Sequence, residues 1–396
     1  MIKHIQGSAG IVLLVFMMCT FAIGMTEYVV TGLLTQIAGD LDVPVSTTGM
    51  LLSVYAISVA VFGPVLRILT IKLPVKPLLL SCMMVFVGSN VMAALAPNFE
   101  VLLLARLCSA AMHAPFFGLS MAVAFKMAAA SKKSQALAAV NGGLTISIMI
   151  GVPFGSYLGG MLDWRFVFWL VAILGAVALV GLLLAVPNEK PLQAPNIKKE
   201  LSVMKNKNVL LVIAIVLFGY SGVFTTYTFK EPILREIAGF GVTGVTFALF
   251  AFGCGAVIGN FVSGRVRAEV LTGRLFFALA SLCLVLGSFT FLVQWGPTAI
   301  LAGFLLGLCA FGTVPLLNAK MIIAGQEAPS LAGTIAASAF NLSNALGAVI
   351  GTFVLNNGAS FMVLTFIGAG ITILGLIITT VTNKIEDKEL FDPSLS

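Results

Sequence analysis

FAIGMTEYVVTGLLTQIAG, residues 21 to 39, places a single carboxylate, that of Glu27, inside an otherwise apolar run. The apolar run begins near Ile11 and ends near Gly39, so it is long enough to cross a lipid bilayer as a helix. A charge near the middle of a membrane span costs several kcal/mol, and such residues usually face a protein interior. We therefore expect Glu27 to point into the interior of the folded protein and to have a function there.

The rest of the chain is equally apolar. Of its 396 residues, 59% are hydrophobic and 9% are charged, and the mean hydropathy is +1.10. A soluble domain with so few charges would lack a polar surface. The chain is therefore predicted to be an all-α protein embedded in a lipid bilayer. Its net charge of +7 comes from basic residues between apolar runs, a pattern that favours the membrane surface and argues against nucleic acid as a partner.

Apolar runs of 20 or more residues occur twelve times and predict twelve transmembrane helices in two sets of six. The runs lie at about 11–37, 45–69, 76–96, 99–128, 135–160 and 166–187, and then at about 208–234, 243–266, 274–294, 298–324, 331–355 and 359–382. We predict an N-terminal six-helix bundle at 1–187, a cytoplasmic linker at 188–207, a C-terminal six-helix bundle at 208–382 and a cytoplasmic tail at 383–396.

The two halves repeat at an offset of 200 residues. Matching residues are Ile37, Ala38 and Gly39 with Ile237, Ala238 and Gly239, Arg67 with Arg267, Pro97 with Pro297, Pro115 with Pro315, Asn141 with Asn341 and Gly151 with Gly351. The repeat predicts two pseudo-symmetric six-helix bundles, arranged as parallel copies. The ionisable residues of the spans do not repeat, since Glu27, Arg106 and His113 are matched by Tyr227, Leu306 and Thr313. We therefore expect every deeply buried ionisable group to lie in the N-terminal half.

The positions of lysine and arginine predict the orientation. With a cytoplasmic N-terminus, only Arg165, Lys230 and Arg235 fall outside and Arg106 falls within a span, which leaves 18 of the 22 basic residues inside. We predict a multi-pass protein of the cell (plasma or inner) membrane, with both termini in the cytoplasm.

Arg106 and Glu27 are predicted to lie at similar depth, roughly 10 to 15 Å below the outer surface. They form either a static ion pair that joins two helices or a coupling site, at which Glu27 takes a proton from outside and releases it inside. His113 lies two turns from Arg106 on the same helix face. It is either a proton relay, a substrate ligand or a histidine bonded to a neighbouring helix.

An apolar, aromatic pocket with few polar groups is expected to bind the substrate. Its candidate residues are Tyr55, Phe116, Phe117, Tyr220, Phe224 and Tyr227, together with Asn141 and Asn341, which either join helices or serve the cavity. Gly151, Pro153 and Gly155 in the fifth span provide either close helix packing alone or a hinge and seal.

Sequence signals for an enzyme or a cofactor are absent. There is no HExxH, GxSxG or Walker A motif, and the six cysteines lie inside apolar runs without a CxxC pair or a nearby histidine. We predict a protein that is not an enzyme and holds no metal or cofactor. Its energy is expected to come from an ion gradient, here a proton gradient, or from the gradient of the substrate itself.

Several segments resemble the major facilitator superfamily. They are TEYVVTGLL (26–34), IAGDLDV (37–43), YAISVAVFGP (55–64), RLCSAAMHAPFF (106–117), GVPFG (151–155) and DWRFVF (163–168). The drug:proton antiporter branch that includes sugar-efflux and purine-nucleoside-efflux permeases is the most similar. The resemblance implies the major facilitator fold, a central cavity that opens alternately to each side, proton-coupled export, and coupling roles for Glu27 and Arg106. The sequence departs from the family pattern at two places. The loop RILTIKLPVK at 67–76 has Ile71 where the family loop has an aspartate, and Val152 separates Gly151 from Pro153, which are adjacent in the family's antiporter signature.

These observations predict a monomeric antiporter that exports small organic molecules, namely amphipathic drugs, nucleosides or sugars, in exchange for protons. The alternatives are a proton-coupled uptake symporter, which uses the same acid, and a lipid flippase. The few charged groups in the spans argue against the flippase, because it needs a polar path for lipid headgroups.

Overall fold

The computed structural model describes residues 2–70, 73–128, 133–187, 205–264, 270–326 and 329–391. Within these residues, twelve helices are long and apolar enough to cross a membrane, which confirms the predicted all-α membrane fold. They are α1 (Ile2–Val29), α2 (Met50–Thr70), α3 (Val75–Ala94), α4 (Phe99–Met127), α5 (Lys133–Ile146 and Val152–Met161, joined by a π-helical turn at Ser147–Gly151), α6 (Trp164–Ala185), α7 (Lys207–Tyr227), α8 (Val242–Ser263), α9 (Leu271–Leu292), α10 (Gly296–Ala324), α11 (Pro329–Asn356) and α12 (Phe361–Phe391). Shorter helices lie at Val30–Gly32, Leu34–Asp40, Val45–Thr48 and Lys230–Glu236.

Polar side chains fix where several helices begin. The side chain of Asn98 accepts a hydrogen bond of 3.0 Å from the main-chain N–H of Val101 at the start of α4. Asp163 accepts one of 2.7 Å from the N–H of Arg165 at the start of α6. Each cap satisfies a main-chain donor that has no partner within its helix.

The contacts of the chain define two compact units. The first unit consists of Met1–Ala194 with Gly241–Phe250, and the second of Pro195–Phe240 with Ala251–Ser396. Residues 188–204, most of the predicted linker, lie outside the described residues, so the predicted domain boundaries stay predictions. Part of the predicted tail, up to Phe391, continues α12, whereas residues 392–396 lie outside the described residues.

Close contact between α1 and α5 organises one side of the first unit. The hydroxyl of Thr20 on α1 donates a hydrogen bond of 2.7 Å to the carbonyl of Val140 on α5. Gly143 lies at the same contact, and a Cβ atom there would overlap the carbonyl oxygen of Met17 and the Thr20 hydroxyl. The main chains of the two helices can therefore approach closely only because position 143 carries no side chain.

A π-helical turn interrupts the fifth span beside the residues predicted to serve as packing contacts or as a hinge. The π-helical turn at Ser147–Gly151 directly precedes the second part of α5, which begins with Val152 and Pro153. Gly151, Pro153 and Gly155 are all buried, and Gly155 packs against Val29 of α1. Close packing by these residues is therefore observed, and their role as a hinge and seal stays a prediction.

In the second unit, α7 packs against α11 and α12. The Ser343 hydroxyl of α11 donates a hydrogen bond of 3.1 Å to the carbonyl of Val216 on α7. Gly222 of α7 faces Gly368 of α12 so closely that neither position has room for a Cβ atom. Helix α7 ends at Tyr227 and gives way to the short helix Lys230–Glu236.

Candidate functional site

A cluster of polar side chains lies inside the first unit, where α1, α2 and α4 meet. It contains Glu27 from α1, Tyr55 from α2, and Arg106 and His113 from α4, each at most 9% exposed. The spacing of seven residues between Arg106 and His113 corresponds to two helical turns and places both on one face of α4. The structure therefore brings together the three residues predicted for proton coupling and one residue predicted for the substrate.

Arg106 binds main-chain carbonyl groups of two neighbouring helices. Its Nη1 donates to the carbonyl of Thr26 at 2.5 Å, its Nη2 to the carbonyl of Glu27 at 3.2 Å, and its Nε to the carbonyl of Leu51 at 3.5 Å. Its guanidinium carbon lies 4.2 Å from the centre of the Tyr55 ring, in the geometry of a cation–π contact. Arg106 therefore joins α4 to α1 as the static alternative predicted. The contact runs through main-chain carbonyl groups of α1 and not through the Glu27 carboxylate.

The carboxylate of Glu27 instead faces His113. Its Oε2 lies 3.6 Å from Nδ1 of His113, and the same nitrogen lies 3.3 Å from the hydroxyl oxygen of Tyr55. The ring of Phe117 covers another side of the imidazole, with ring centres 5.9 Å apart. His113 therefore links a carboxylate to a phenol, an arrangement in which a proton can pass between neighbouring groups.

A further polar pair, which the sequence analysis did not identify, supports this cluster. The Thr26 hydroxyl donates a hydrogen bond of 2.7 Å to Oδ1 of Asn90 on α3, and Nδ2 of Asn90 donates one of 2.8 Å to the carbonyl of Phe86. Both Thr26 and Asn90 are buried. Thr26 thus contacts α3 through its side chain and Arg106 through its carbonyl. The only signal in the sequence was an asparagine inside an apolar run, which is not specific enough to predict this contact.

The other substrate residues predicted in the first unit are Phe116, Phe117 and Asn141, and Phe117 contacts the cluster through His113. Phe116 is fully buried, and Phe117 is half-buried beside His113. Asn141 is exposed on α5. Their roles in substrate binding stay predictions.

In the second unit, the predicted aromatic residues form a continuous series of ring contacts. The rings of Tyr220 and Phe224 lie 6.0 Å apart, and those of Phe224 and Tyr227 lie 5.4 Å apart. Tyr227 also contacts Phe252 of α8 at 4.7 Å, and Tyr220 contacts Phe340 of α11 at 5.1 Å. The structure therefore brings Tyr220, Phe224 and Tyr227 into one region, and Asn341 follows Phe340 directly on α11.

Three buried charged residues, Lys230, Glu231 and Lys320, contradict the expectation that such groups lie only in the N-terminal half, and Lys320 lies on α10. Lys230 and Glu231 are fully buried in the second unit, although the sequence analysis placed Lys230 outside the membrane. Nζ of Lys230 lies 4.0 Å from the centre of the Phe252 ring, and burial holds the pKa of the Lys230 ammonium well below its ordinary value. Glu231 forms an ion pair with Arg235 one turn later in the same helix. For Lys230 and Glu231 the prediction was wrong because α7 breaks after Tyr227 and the polar segment that follows packs inside the protein. For Lys320 it was wrong because the ammonium group is buried against α9, where it donates a hydrogen bond of 3.2 Å to the Thr272 hydroxyl.

Within the part of the chain that the structure describes, no group of three or more His, Cys, Asp or Glu side chains is arranged to hold a metal ion. The absence of a metal or cofactor from the functional protein stays a prediction.

Comparison with known proteins supports a transport function. The model of the family described as Major Facilitator Superfamily matches residues 16–352. The chain is 46% identical over 385 residues to a Bacillus subtilis protein named Uncharacterized MFS-type transporter YfhI, with 97% of each chain covered. It is also 30% identical to the Probable sugar efflux transporter of Helicobacter pylori (91% of this chain and 92% of that protein) and 30% identical to the Chloramphenicol resistance protein of Streptomyces lividans (85% and 87%).

A comparison of solved structures shows the same fold. The crystal structure of a mutant of the nucleoside transporter NupG matches with a TM-score of 0.74 at 14% sequence identity, and covers 94% of this chain and 99% of that chain. The family match extends over most of the chain, and the twelve-helix architecture agrees with it. The chain therefore belongs to the major facilitator superfamily of membrane transporters.

Proposed function

We propose that this protein is a proton-coupled antiporter, which exports small organic molecules from the cytoplasm by alternating access. The observation that carries the proposal is the buried Glu27 carboxylate beside His113, in a cluster that also contains Arg106. An ionisable group at this depth in a membrane span is costly unless it has a function, and carboxylate–histidine chains are typical of proton relays in transporters.

Protonation of Glu27 changes the charge balance of the cluster. When Glu27 is ionised, its negative charge offsets the positive charge of Arg106, which is bound to carbonyl groups at the end of α1. When Glu27 takes up a proton, Arg106 remains as an uncompensated charge in an apolar interior, which costs several kcal/mol. The two protonation states therefore favour different arrangements of α1, α2 and α4, and this preference couples the proton to the conformational change.

The direction of transport rests on the orientation and on the relatives. The excess of lysine and arginine on one side favours cytoplasmic termini in a cell membrane. The Helicobacter pylori relative is named as an efflux transporter and the Streptomyces lividans relative as a resistance protein, and both names are consistent with export. The aromatic series from Tyr220 to Tyr227 suits the apolar part of a small organic molecule. We propose that a monomer is sufficient, because each compact unit contains its own candidate residues.

The energy of one proton is adequate for export. A proton that crosses 100 mV releases about 2.3 kcal/mol, and a pH difference of one unit adds about 1.4 kcal/mol. Exchange of one proton for one substrate molecule then supports a substrate gradient of a few hundredfold.

The test uses inside-out membrane vesicles with labelled chloramphenicol, adenosine and glucose, with and without a proton gradient. We expect wild type to accumulate at least one compound in response to the gradient. Glu27→Gln should accumulate no more than wild type does without a gradient, because a carboxamide cannot take up or release the proton. Glu100→Gln is the matched control, since Glu100 is exposed in the first turn of α4 and should transport normally.

Undiminished gradient-driven accumulation by Glu27→Gln would rule out the coupling role of Glu27. Movement of substrate out of inside-out vesicles together with protons would indicate uptake in the cell. If no soluble compound responds to the gradient, a labelled-lipid assay tests the flippase alternative.

A further inference from the structure

Unsatisfied polar atoms are concentrated in the second unit. Among the described residues, seven buried side-chain oxygen atoms have no hydrogen-bond partner, and six of them belong to this unit. The six lie on α7 and α11 or directly after α7, in Ser221, Thr226, Thr228, Asn341, Asn344 and Thr352. Buried polar atoms are normally paired, so a concentration of unpaired ones on two packed helices requires an explanation.

The two asparagine side chains are the most informative of these groups. The Oδ1 atoms of both Asn341 and Asn344 are buried without a partner. Nδ2 of Asn341 donates only to the carbonyl of Ala337, one turn earlier in its own helix, at 3.0 Å. A carboxamide that served only to join helices would place its oxygen on a donor of the neighbouring helix. Ser343 does make such a bond, to Val216 of α7, and therefore serves that role between the two asparagines.

Both carboxamides lie beside an aromatic surface. At about 100° per residue, Phe340, Asn344 and Asn341 fall within roughly 100° of arc on α11. The Phe340 ring meets the Tyr220 ring edge to face at 5.1 Å, and Tyr220 continues to Phe224. Phe340 is half-buried, so part of its ring remains open to contact with another molecule.

The charge of the surroundings restricts the ligand. Helix α11 contains no charged residue between Pro329 and Asn356, and α7 contains none after its first residue, Lys207. A site with rings and carboxamides but no charge on its two helices favours an uncharged ligand, because neither α7 after Lys207 nor α11 offers a counter-charge for a buried ion.

We propose that Asn341 and Asn344, beside the Tyr220 and Phe340 rings, bind flat, uncharged aromatic molecules that carry an amide or lactam group. A carboxamide presents a donor and an acceptor side by side, and it pairs in two-point fashion with an edge that presents the complementary acceptor and donor. The N–H groups of the ligand satisfy the unpaired asparagine oxygens, while its ring packs against Phe340 and Tyr220. This inference rests on the proposed export function, since it names the class of substrate, but the binding itself does not depend on proton coupling.

The experiment measures binding to the purified full-length protein in lipid nanodiscs by equilibrium dialysis, without a proton gradient. The probes are 2-naphthamide, N,N-dimethyl-2-naphthamide and 2-naphthoate, which share one ring system. The dimethyl compound lacks both N–H donors, and the naphthoate carries a charge. We expect wild type to bind 2-naphthamide about tenfold or more tightly than either of the other two, because both leave the asparagine oxygens unpaired.

Variants then assign the preference to the carboxamides. Asn344→Leu keeps a side chain of similar shape without the polar groups. This variant should bind 2-naphthamide and the other two probes with about equal affinity, so that the preference is lost. Asn341→Leu should reduce it in part. Asn357→Leu is the control, because Asn357 is exposed beyond the end of α11 and bonds only to Phe353 in the preceding turn.

The proposal is overturned if wild type binds none of the probes, if it binds all three equally, or if Asn344→Leu keeps the wild-type preference. Two observations show that Asn344→Leu is correctly folded. It elutes from a size-exclusion column as a single species, as wild type does, and it still binds N,N-dimethyl-2-naphthamide. If vesicle transport shows no proton dependence while this preference is observed, the coupling proposal fails and the ligand proposal stands.

Discussion

Arg106 connects two helices to its own through a single guanidinium group. It donates to the carbonyls of Thr26 and Glu27 near the end of α1 and to that of Leu51 near the start of α2, while it stacks on Tyr55. The last carbonyl groups of a helix have no partner within the helix, so α1 depends on groups such as this one to end inside the protein. The planar, five-donor geometry of arginine is well suited to this task.

We predict that Arg106→Lys, which keeps the positive charge, lowers both the stability and the transport activity of the protein. A lysine presents a compact ammonium that cannot reach carbonyls on both helices and stack on Tyr55 at the same time. We expect a loss of about 2 to 4 kcal/mol in the free energy of unfolding and at least a tenfold loss in transport. Thermal unfolding in detergent and vesicle transport check this result. Arg274→Lys at an exposed site of α9 is the control, and equal behaviour of the two variants would mean that Arg106 acts through its charge alone.

The hydrogen bond between Thr26 and Asn90 provides a second residue-level prediction. Thr26→Val and Asn90→Leu each leave one buried polar partner unpaired, and each should reduce the free energy of unfolding by about 1 to 2 kcal/mol. The double variant should lose less than the sum, because no unpaired group remains. A double-mutant cycle in mixed micelles measures the coupling energy. If the losses of the two single variants add up to the loss of the double variant, the 2.7 Å hydrogen bond between Thr26 and Asn90 contributes nothing to stability.

At the level of helices, the packing of α1 against α5 depends on one glycine of an adjacent pair. A Cβ atom at Gly143 would overlap the main chain of α1, whereas one at Gly142 would meet no atom within 4 Å. The same helix therefore offers a test site and a control that differ by a single position.

We predict opposite effects for the two alanine substitutions. Gly143→Ala should force α1 and α5 apart and reduce the free energy of unfolding by about 2 kcal/mol or more. Gly142→Ala should be neutral or stabilise α5 by up to about 1 kcal/mol, because alanine favours the helix. Thermal unfolding of both variants measures the difference. Similar stability of the two would show that α5 approaches α1 less closely than the structure indicates.

At the level of the whole molecule, the family assignment makes the chain a transporter and not an enzyme. The twelve helices could be predicted because a membrane span requires a long apolar run, and length and hydropathy are local properties. The repeat was also readable, and both α4 and α10 have 29 residues with an internal proline, Pro115 or Pro315. Glu27 and Arg106 could be assigned to similar depth because helical rise fixes depth, and His113 could be assigned to the same face of α4 as Arg106 because of its spacing.

The partners within the cluster could not be predicted in the same way. Which side chain reaches the Glu27 carboxylate depends on the rotation of α1, α2 and α4 about their axes, and tertiary packing determines that rotation. The unpaired oxygen of Asn344 was equally unpredictable, because the sequence shows an asparagine but not its missing partner. The burial of Lys230 and Glu231 could not be predicted, because it depends on the break in the helix after Tyr227, and hydropathy does not show where a helix breaks.

Lys230 gives the final prediction, since it places a buried charge in the half of the molecule for which none was expected. Burial lowers the pKa of its ammonium below the ordinary value of 10.5. Between the lowered pKa and 10.5, the unfolded chain binds a proton that the folded protein does not bind. The contribution of Lys230 to the free energy of unfolding therefore rises with pH across this window, by about 1.4 kcal/mol per pH unit, and stays constant above 10.5.

Lys230→Met should remove this contribution. We expect the variant to be more stable than wild type at pH 8, and we expect the difference to shrink as the pH is raised to 10, because wild type regains stability over that range. Denaturant unfolding at several pH values measures both curves. Lys205→Met, at an exposed lysine just before α7, should follow the wild-type curve. Parallel curves for wild type and Lys230→Met would mean that Lys230 keeps its proton in the folded protein, held by charges or dipoles strong enough to offset its burial.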